Sequence, residues 1–192
     1  MTTIVIAEDE AIIRLDLREL LEEEGYVVVG EAGRGDQAVD LVRQLTPDLV
    51  ILDVKMPGMD GIEAARRITA EGICAVLMLT AFSQREIVEQ ARDAGAVAYL
   101  VKPFQKTELV PAIELATARY AETKALVSEV SELTERLEVR KLLDRAKGRL
   151  IDVYGMKEAD AFSFIQKSAM TKRATMRSVA EAVVKGELVP PA

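Results

Sequence analysis

Over the first 119 residues, short runs rich in β-branched side chains alternate with longer segments whose apolar positions recur at helical spacing. The runs are Ile4 to Ala7, Val27 to Glu31, Leu49 to Asp53, Ala75 to Leu79 and Ala98 to Val101. Most are apolar on both faces, as strands are when a parallel sheet is covered on each side. Between them, Ile12, Ile13, Leu17, Leu20 and Leu21 form one helical stripe, Ala38, Leu41, Val42 and Leu45 a second, and Ile62, Ala65 and Ile68 a third. Gly25, Gly72 and Gly95 fall where those helices should stop. Five βα units in this span imply an α/β domain at residues 1–119, a five-stranded, parallel, doubly wound sheet with short connections.

Past Pro111 the strands cease. From Ala112 the chain reads as helix, with no Gly or Pro up to Lys147. Leu126, Val130, Leu133 and Leu137 share one seam. It fits two readings, a connecting helix over 120–136 packed on its own protein or a short dimerising coiled coil. After Gly155, Glu158, Ala161, Phe162, Ile165 and Ala169 make one stripe, on which Phe162 is expected in the core. Met176, Val179, Ala180 and Val183 make another. An all-α three-helix module over 137–186 results, with a tail at 187–192. At about 50 residues it sits near the lower size limit for independent stability, so it should lean on the connecting helix or on a partner.

The single Cys74 excludes an intrachain disulfide framework, and the absence of histidine excludes His-dependent triads and Cys/His zinc sites. The net charge of −7 is unevenly spread: residues 1–119 hold 21 acids and 12 bases, residues 120–192 hold 11 and 13. Within 139–185 there are 11 bases against 5 acids. Opposite charges on two regions suggest two functions. No apolar run approaches the roughly 18–20 residues a bilayer span needs, and no N-terminal segment has the make-up of a secretory signal. A cytoplasmic protein with no membrane partner is expected.

The residues with chemistry stand at the C-terminal ends of the predicted strands, where open α/β sheets bind ligands. Glu8 and Asp9 follow the first, Asp53 ends the third, Thr80 the fourth and Lys102 the fifth. An acid after a strand is most often a helix N-cap. Three carboxylates converging at one sheet edge would repel, however, unless a cation sat among them, and oxygen ligands suit Mg²⁺. Lys102 adds a fixed positive charge, and Thr80 a hydroxyl donor for a phosphoryl oxygen.

Glu8-Asp9, Asp53 within Leu-Asp-Val-Lys-Met-Pro-Gly, Thr80-Ala81, Tyr99 and Lys102-Pro103 together resemble the receiver domain of two-component response regulators, whose fold is flavodoxin-like. The resemblance implies that Asp53 is the phosphoacceptor, that a sensor histidine kinase supplies the phosphoryl group, and that Lys102 and Thr80 assist the transfer. It implies Mg²⁺ held by Asp9, Asp53 and the carbonyl of Lys55, with Glu8 helping directly or through water. Thr80 and Tyr99 would be the switch pair, and Lys102-Pro103 a cis peptide. Such a chain is not an enzyme in the ordinary sense, although it can catalyse its own phosphorylation and dephosphorylation. Glu8 stands where many receivers carry Asp.

In the basic segment, Arg-Ala-Lys-Gly-Arg-Leu-Ile at 145–151, Glu-Ala-Asp-Ala-Phe at 158–162, Ile165 to Met170, and Arg173 followed by Ser178-Val179-Ala180-Glu181 resemble the ANTAR domain. That family is a three-helix RNA-binding module of bacterial antitermination regulators, usually dimeric. The resemblance implies binding to structured leader RNA of a nascent transcript, with phosphate contacts from Lys147, Arg149, Lys172, Arg173 and Arg177. It also makes the 126–137 seam a candidate homodimer interface. On charge alone the basic face could be solvated surface. An alternative output is a helix-turn-helix that enters duplex DNA, although Thr175 to Lys185 offers few base-reading polar side chains. A third is control by the receiver through protein contacts only.

Overall fold

The computed structural model describes residues 1–81 and 85–190, which divide into two compact units, Met1–Lys124 and Ala125–Ala192. Residues 191 and 192 of the tail lie outside the described residues. In the first unit, β1 (Thr3–Ala7), β2 (Val27–Ala32), β3 (Leu49–Asp53), β4 (Ala75–Thr80) and β5 (Ala98–Val101) alternate with α1 (Ala11–Glu23), α2 (Gly35–Leu45), α3 (Gly61–Glu71) and α4 (Arg85–Asp93). The strands form one parallel sheet in the order β2-β1-β3-β4-β5. β1 has β2 on one side and β3 on the other, so the order of travel reverses there and a crevice opens beyond its C-terminal end.

The two-residue period of the strands divides the apolar side chains between two layers. Val5, Ala7, Val50, Leu52, Val76 and Met78 pack against Ala38, Val42, Ala65 and Ile68 of α2 and α3. Ile4, Ile6, Leu49, Ile51, Leu77 and Leu79 pack against Leu17 and Leu21 of α1 and Leu109 and Ile113 of the helix after β5. Burial of each large side chain contributes about 1.5–3 kcal/mol. Ile12 departs from the expected stripe and is 77% exposed. It lies five positions before Leu17, about 140° round the helix from the buried face.

The helix after β5, α5 (Lys106–Tyr154), belongs in part to each unit, begins six residues earlier than the sequence pattern suggests and carries Pro111 inside it. The Gln105 amide donates to Glu108 Oε2 at 3.0 Å, and the Glu108 amide donates back to the Gln105 carbonyl at 2.9 Å. That reciprocal cap starts the helix ahead of the proline, and Leu109 and Ile113, both buried, hold it across the one hydrogen bond Pro111 forfeits. Further along, the Tyr120 hydroxyl donates to the Gly72 carbonyl at 2.5 Å, where the chain leaves α3 in the left-handed conformation. Every residue from Ala121 to Glu138 is exposed. Leu126, Val130, Leu133 and Leu137 are among them.

In the second unit, Ala146 and Leu150 of α5 meet Ala161, Ile165 and Ala169 of α6 (Glu158–Lys172) and Val179, Ala180 and Val183 of α7 (Met176–Lys185). Phe162 corrects the sequence reading. It is 43% exposed, and Phe164 packs against this core in its place. Among the described residues no helix is long and apolar enough to cross a membrane.

Cys74 is buried, and burial pushes its thiol up to about 12. Thiol reagents attack the thiolate, so the folded protein should react at pH 8 only through transient opening. Reaction with Ellman's reagent is expected to be at least about 100-fold slower for the native protein than for the protein in denaturant. Stoppage of the native reaction on Cys74→Ser would identify the source of the signal.

Candidate functional site

β1, β3, β4 and β5 deliver their C-terminal residues to one edge. Glu8, directly after β1, is fully buried, and its amide donates to the Ala32 carbonyl at 3.0 Å. Asp9 beside it is exposed. Asp53 ends β3 almost wholly buried, its Oδ2 accepting from the Lys55 amide at 3.0 Å. Lys102 spans the two buried acids, with Nζ 2.7 Å from Asp53 Oδ1 and in hydrogen-bond contact with Glu8 Oε2. The Lys102–Pro103 peptide is cis.

Burial pushes the Glu8 carboxyl above its ordinary range; the hydrogen bond from Lys102 pulls it down and the charge of Asp53 raises it again. Burial alone would lower the Lys102 ammonium, but hydrogen bonds to Asp53 and Glu8 outweigh that and hold it above the usual lysine value. One carboxylate oxygen each from Glu8, Asp9 and Asp53 lies within 4.8 Å of the others. All three are hard oxygen donors, the chemistry a small divalent cation takes, and the residues present fit Mg²⁺. The cleft over them is about 190 Å³ and is lined by Asp9, Glu10, Asp53, Val54, Lys55, Ala81 and Lys102. That is below the roughly 300–1,000 Å³ of sites that enclose a whole cofactor, and suits an ion and a phosphoryl group.

Thr80 closes β4 and is buried, and its carbonyl accepts from the Lys102 amide at 2.8 Å. Tyr99 pairs in register with Met78 and is 50% exposed, so its ring stands outside the core. Two contributors carry no signal in the sequence. The Arg14 guanidinium donates to the Glu8 carbonyl at 2.5 Å and lies 3.4 Å from Glu31, which steadies the loop bearing both acids. Gly61 opens α3 directly against the Asp53 peptide, where a Cβ would come within 1.9 Å of the Asp53 carbonyl oxygen.

The basic side chains of the second unit divide by what they touch. Lys147 is paired with Asp144 at 3.0 Å and Glu158 at 3.1 Å. Arg149 donates to the Val184 carbonyl at 3.1 Å, near the end of α7. Arg177 pairs with Glu181 at 3.2 Å and Glu135 at 3.7 Å. Lys172 and Arg173 are exposed and make no ion pair among the described residues.

Residues 4–114 match the family described as the response regulator receiver domain, and residues 131–184 match the ANTAR domain. The chain is a response regulator of the receiver and ANTAR type. It is 59% identical over 182 residues to the transcriptional regulatory protein PdtaR of Mycobacterium tuberculosis, covering 95% of this chain and 89% of that one. It is 39% identical to the chemotaxis protein CheY of Bacillus subtilis, over 57% of this chain and 92% of that one. Among solved structures, a two-component response regulator of the LuxR family from Aurantimonas sp. SI85-9A1 aligns with a TM-score of 0.58 and 37% identity, over 62% of this chain and 86% of that one. The receiver implies a phosphodonor kinase upstream, and the ANTAR module supports an RNA-binding output and does not favour a DNA-binding one.

Proposed function

We propose that this response regulator accepts a phosphoryl group on Asp53 from a sensor histidine kinase in the cytoplasm and then promotes antitermination on structured leader RNA. The observation that carries this reading is the presence on one chain of a buried aspartate poised between Lys102 and two further acids and of an ANTAR module. The Asp53 carboxylate, held by the Lys55 amide on one oxygen and by Lys102 on the other, attacks phosphorus in line. The bond to Asp53 forms as the bond to the donor's leaving atom breaks, leaving an acyl phosphate. Glu8, Asp9, Asp53 and the Lys55 carbonyl would hold Mg²⁺, which when bound neutralises charge on the transferred group. Lys102 adds a second positive charge, and the Thr80 hydroxyl, drawn to the new phosphoryl oxygens, lets the Tyr99 ring move inward.

Two exposed seams meeting along Leu126, Val130, Leu133 and Leu137 would pair two copies, so that two modules grip two hairpins. Here Lys147, Arg149, Lys172, Arg173 and Arg177 are the cations offered to RNA. Incubation with acetyl phosphate and Mg²⁺ should label the wild type, and Asp53→Asn should lose about 100-fold or more of that label. Undiminished labelling would place the phosphoryl group elsewhere. In parallel, a two-hairpin leader RNA should outcompete duplex DNA at fixed salt, and sequence-dependent DNA binding would overturn the RNA output. For the seam, Leu133→Glu should leave only monomer in sedimentation of the phosphorylated protein; an unchanged dimer places the interface off α5.

A further inference from the structure

The outer face of α6 differs from the rest of the second unit's surface. Ala159, Phe162, Ser163, Gln166 and Met170 recur at helical spacing to one side of the buried Ala161, Ile165 and Ala169, and none carries a charge. Phe162 and Met170 are large apolar side chains left 43% and 74% exposed. They stand two turns apart, about 12 Å along the axis. A ring and a thioether on one uncharged side of the helix give it an apolar surface with cations near its end.

Cations near the C-terminal half of this stripe are uncommitted, as are Arg140, Arg145, Lys157 and Lys185 elsewhere in the module. Lys167, Lys172 and Arg173 are exposed and make no ion pair or side-chain hydrogen bond among the described residues. Lys147, Arg149 and Arg177, by contrast, are tied to partners within the module. Arg173 has a second peculiarity. It closes α6 in the left-handed conformation, at φ 50°, which glycine adopts without cost and a branched-out side chain does not. The fold gains nothing visible from an arginine at that position.

Resting on the RNA-binding reading of this module, we infer that the outer face of α6 is its base-contacting surface. Phe162 stacks on an unpaired loop base, Gln166 meets a base edge, Met170 extends the apolar platform, and Lys167, Lys172 and Arg173 take the flanking phosphates. Unpaired RNA bases are recognised by stacking on aromatic side chains with phosphate contacts alongside, and this face offers both. A protein partner covering Phe162 and Met170 would have to bring acids for three cations at the rim. RNA brings them with every nucleotide.

A pool of hairpin RNAs with randomised loops, selected on the full-length wild type, supplies the probe, and filter binding across a salt series gives the readout. Phe162→Ala and Phe162→Leu should each weaken binding about tenfold or more with the salt slope unchanged, while Phe162→Tyr, which keeps the ring, should bind like wild type. Arg173→Gly should bind more weakly and lower the salt slope by about 1, with no fall in Tm. Wild-type affinity in Phe162→Leu would overturn stacking, and wild-type affinity in both Phe162→Ala and Arg173→Gly would overturn the face while leaving RNA binding in place. If the wild type enriches no hairpin, the RNA-binding reading itself falls, and the inference with it.

Discussion

Gly61→Ala is expected to destabilise the receiver by about 4 kcal/mol or more and to suppress phosphorylation of Asp53 in whatever fraction still folds. The added Cβ would sit 1.9 Å from the Asp53 carbonyl oxygen, 2.8 Å from its carbon and 3.2 Å from Val54 Cα. All three are backbone atoms, so no rotamer change relieves the clash. The strand end and the helix start are also joined by the Gly61 amide donating to the Val54 carbonyl at 3.0 Å and by Asp60 capping the Glu63 amide at 2.8 Å. Whatever moves to admit the methyl group therefore moves Asp53. Gly148→Ala is the control: nothing lies within 4 Å of that Cβ, in the interior of α5. It should stabilise the protein by about 0.5–1 kcal/mol. Urea denaturation of the two variants reads both effects, and equal midpoints would show that the β3–α3 junction yields more easily than its contacts imply.

The second large effect is expected at Lys102. Replacing it with Met removes the ammonium from between Glu8 and Asp53 and leaves two buried carboxylates facing one another. The loss should be about 3 kcal/mol in EDTA at pH 8, because one partner of a buried charge group is deleted and the others stay. Added MgCl₂ should recover most of it. The variant should also respond to pH in a defined direction. Burial holds the Glu8 carboxyl above its ordinary 4.5, so the protonated acid favours the fold. That contribution is complete below the unfolded value and is lost as pH rises through the folded one. Without Lys102 the acid is held higher still, so the variant should lose stability more steeply between pH 5 and 8 than the wild type. Parallel slopes in EDTA would mean that Lys102 does not balance Glu8.

What the sequence reveals of this protein follows from what its side chains must do in every context. β3 from Leu49 to Asp53 is legible because a strand buried on both faces must be apolar throughout, and Asp53 stands out as the residue that breaks the run. The acids and Lys102 are legible because charges do not gather at a sheet edge without a reason. Ile12 and Phe162 are misplaced by periodicity alone: Ile12 stands beside the half-buried Ile13 and Phe162 beside the buried Ala161, and only the packed neighbours decide which side wins. The start of α5 is hidden by Pro111, whose helix-breaking tendency is overridden by the Gln105–Glu108 cap. Gly61 is silent because a backbone approach leaves no mark except the absence of a side chain. The basic residues show the sharpest gap. Charge counting treats Lys147 and Arg173 alike, yet one is held between two acids and the other is unengaged.

The exposed stretch of α5 from Ala121 to Glu138 bears on folding as well as on assembly. A helical stretch of such length with no buried side chain is marginal in water, since each residue's ordering is opposed by chain entropy and little burial offsets it. Its amide protons should therefore exchange with solvent far faster than those of Leu109 to Ala116, which face the receiver core. If two copies pair along the seam, exchange in this one segment should slow with protein concentration while the receiver stays constant. The segment would then act as a built-in gauge of association, its helical order set by how much partner is present.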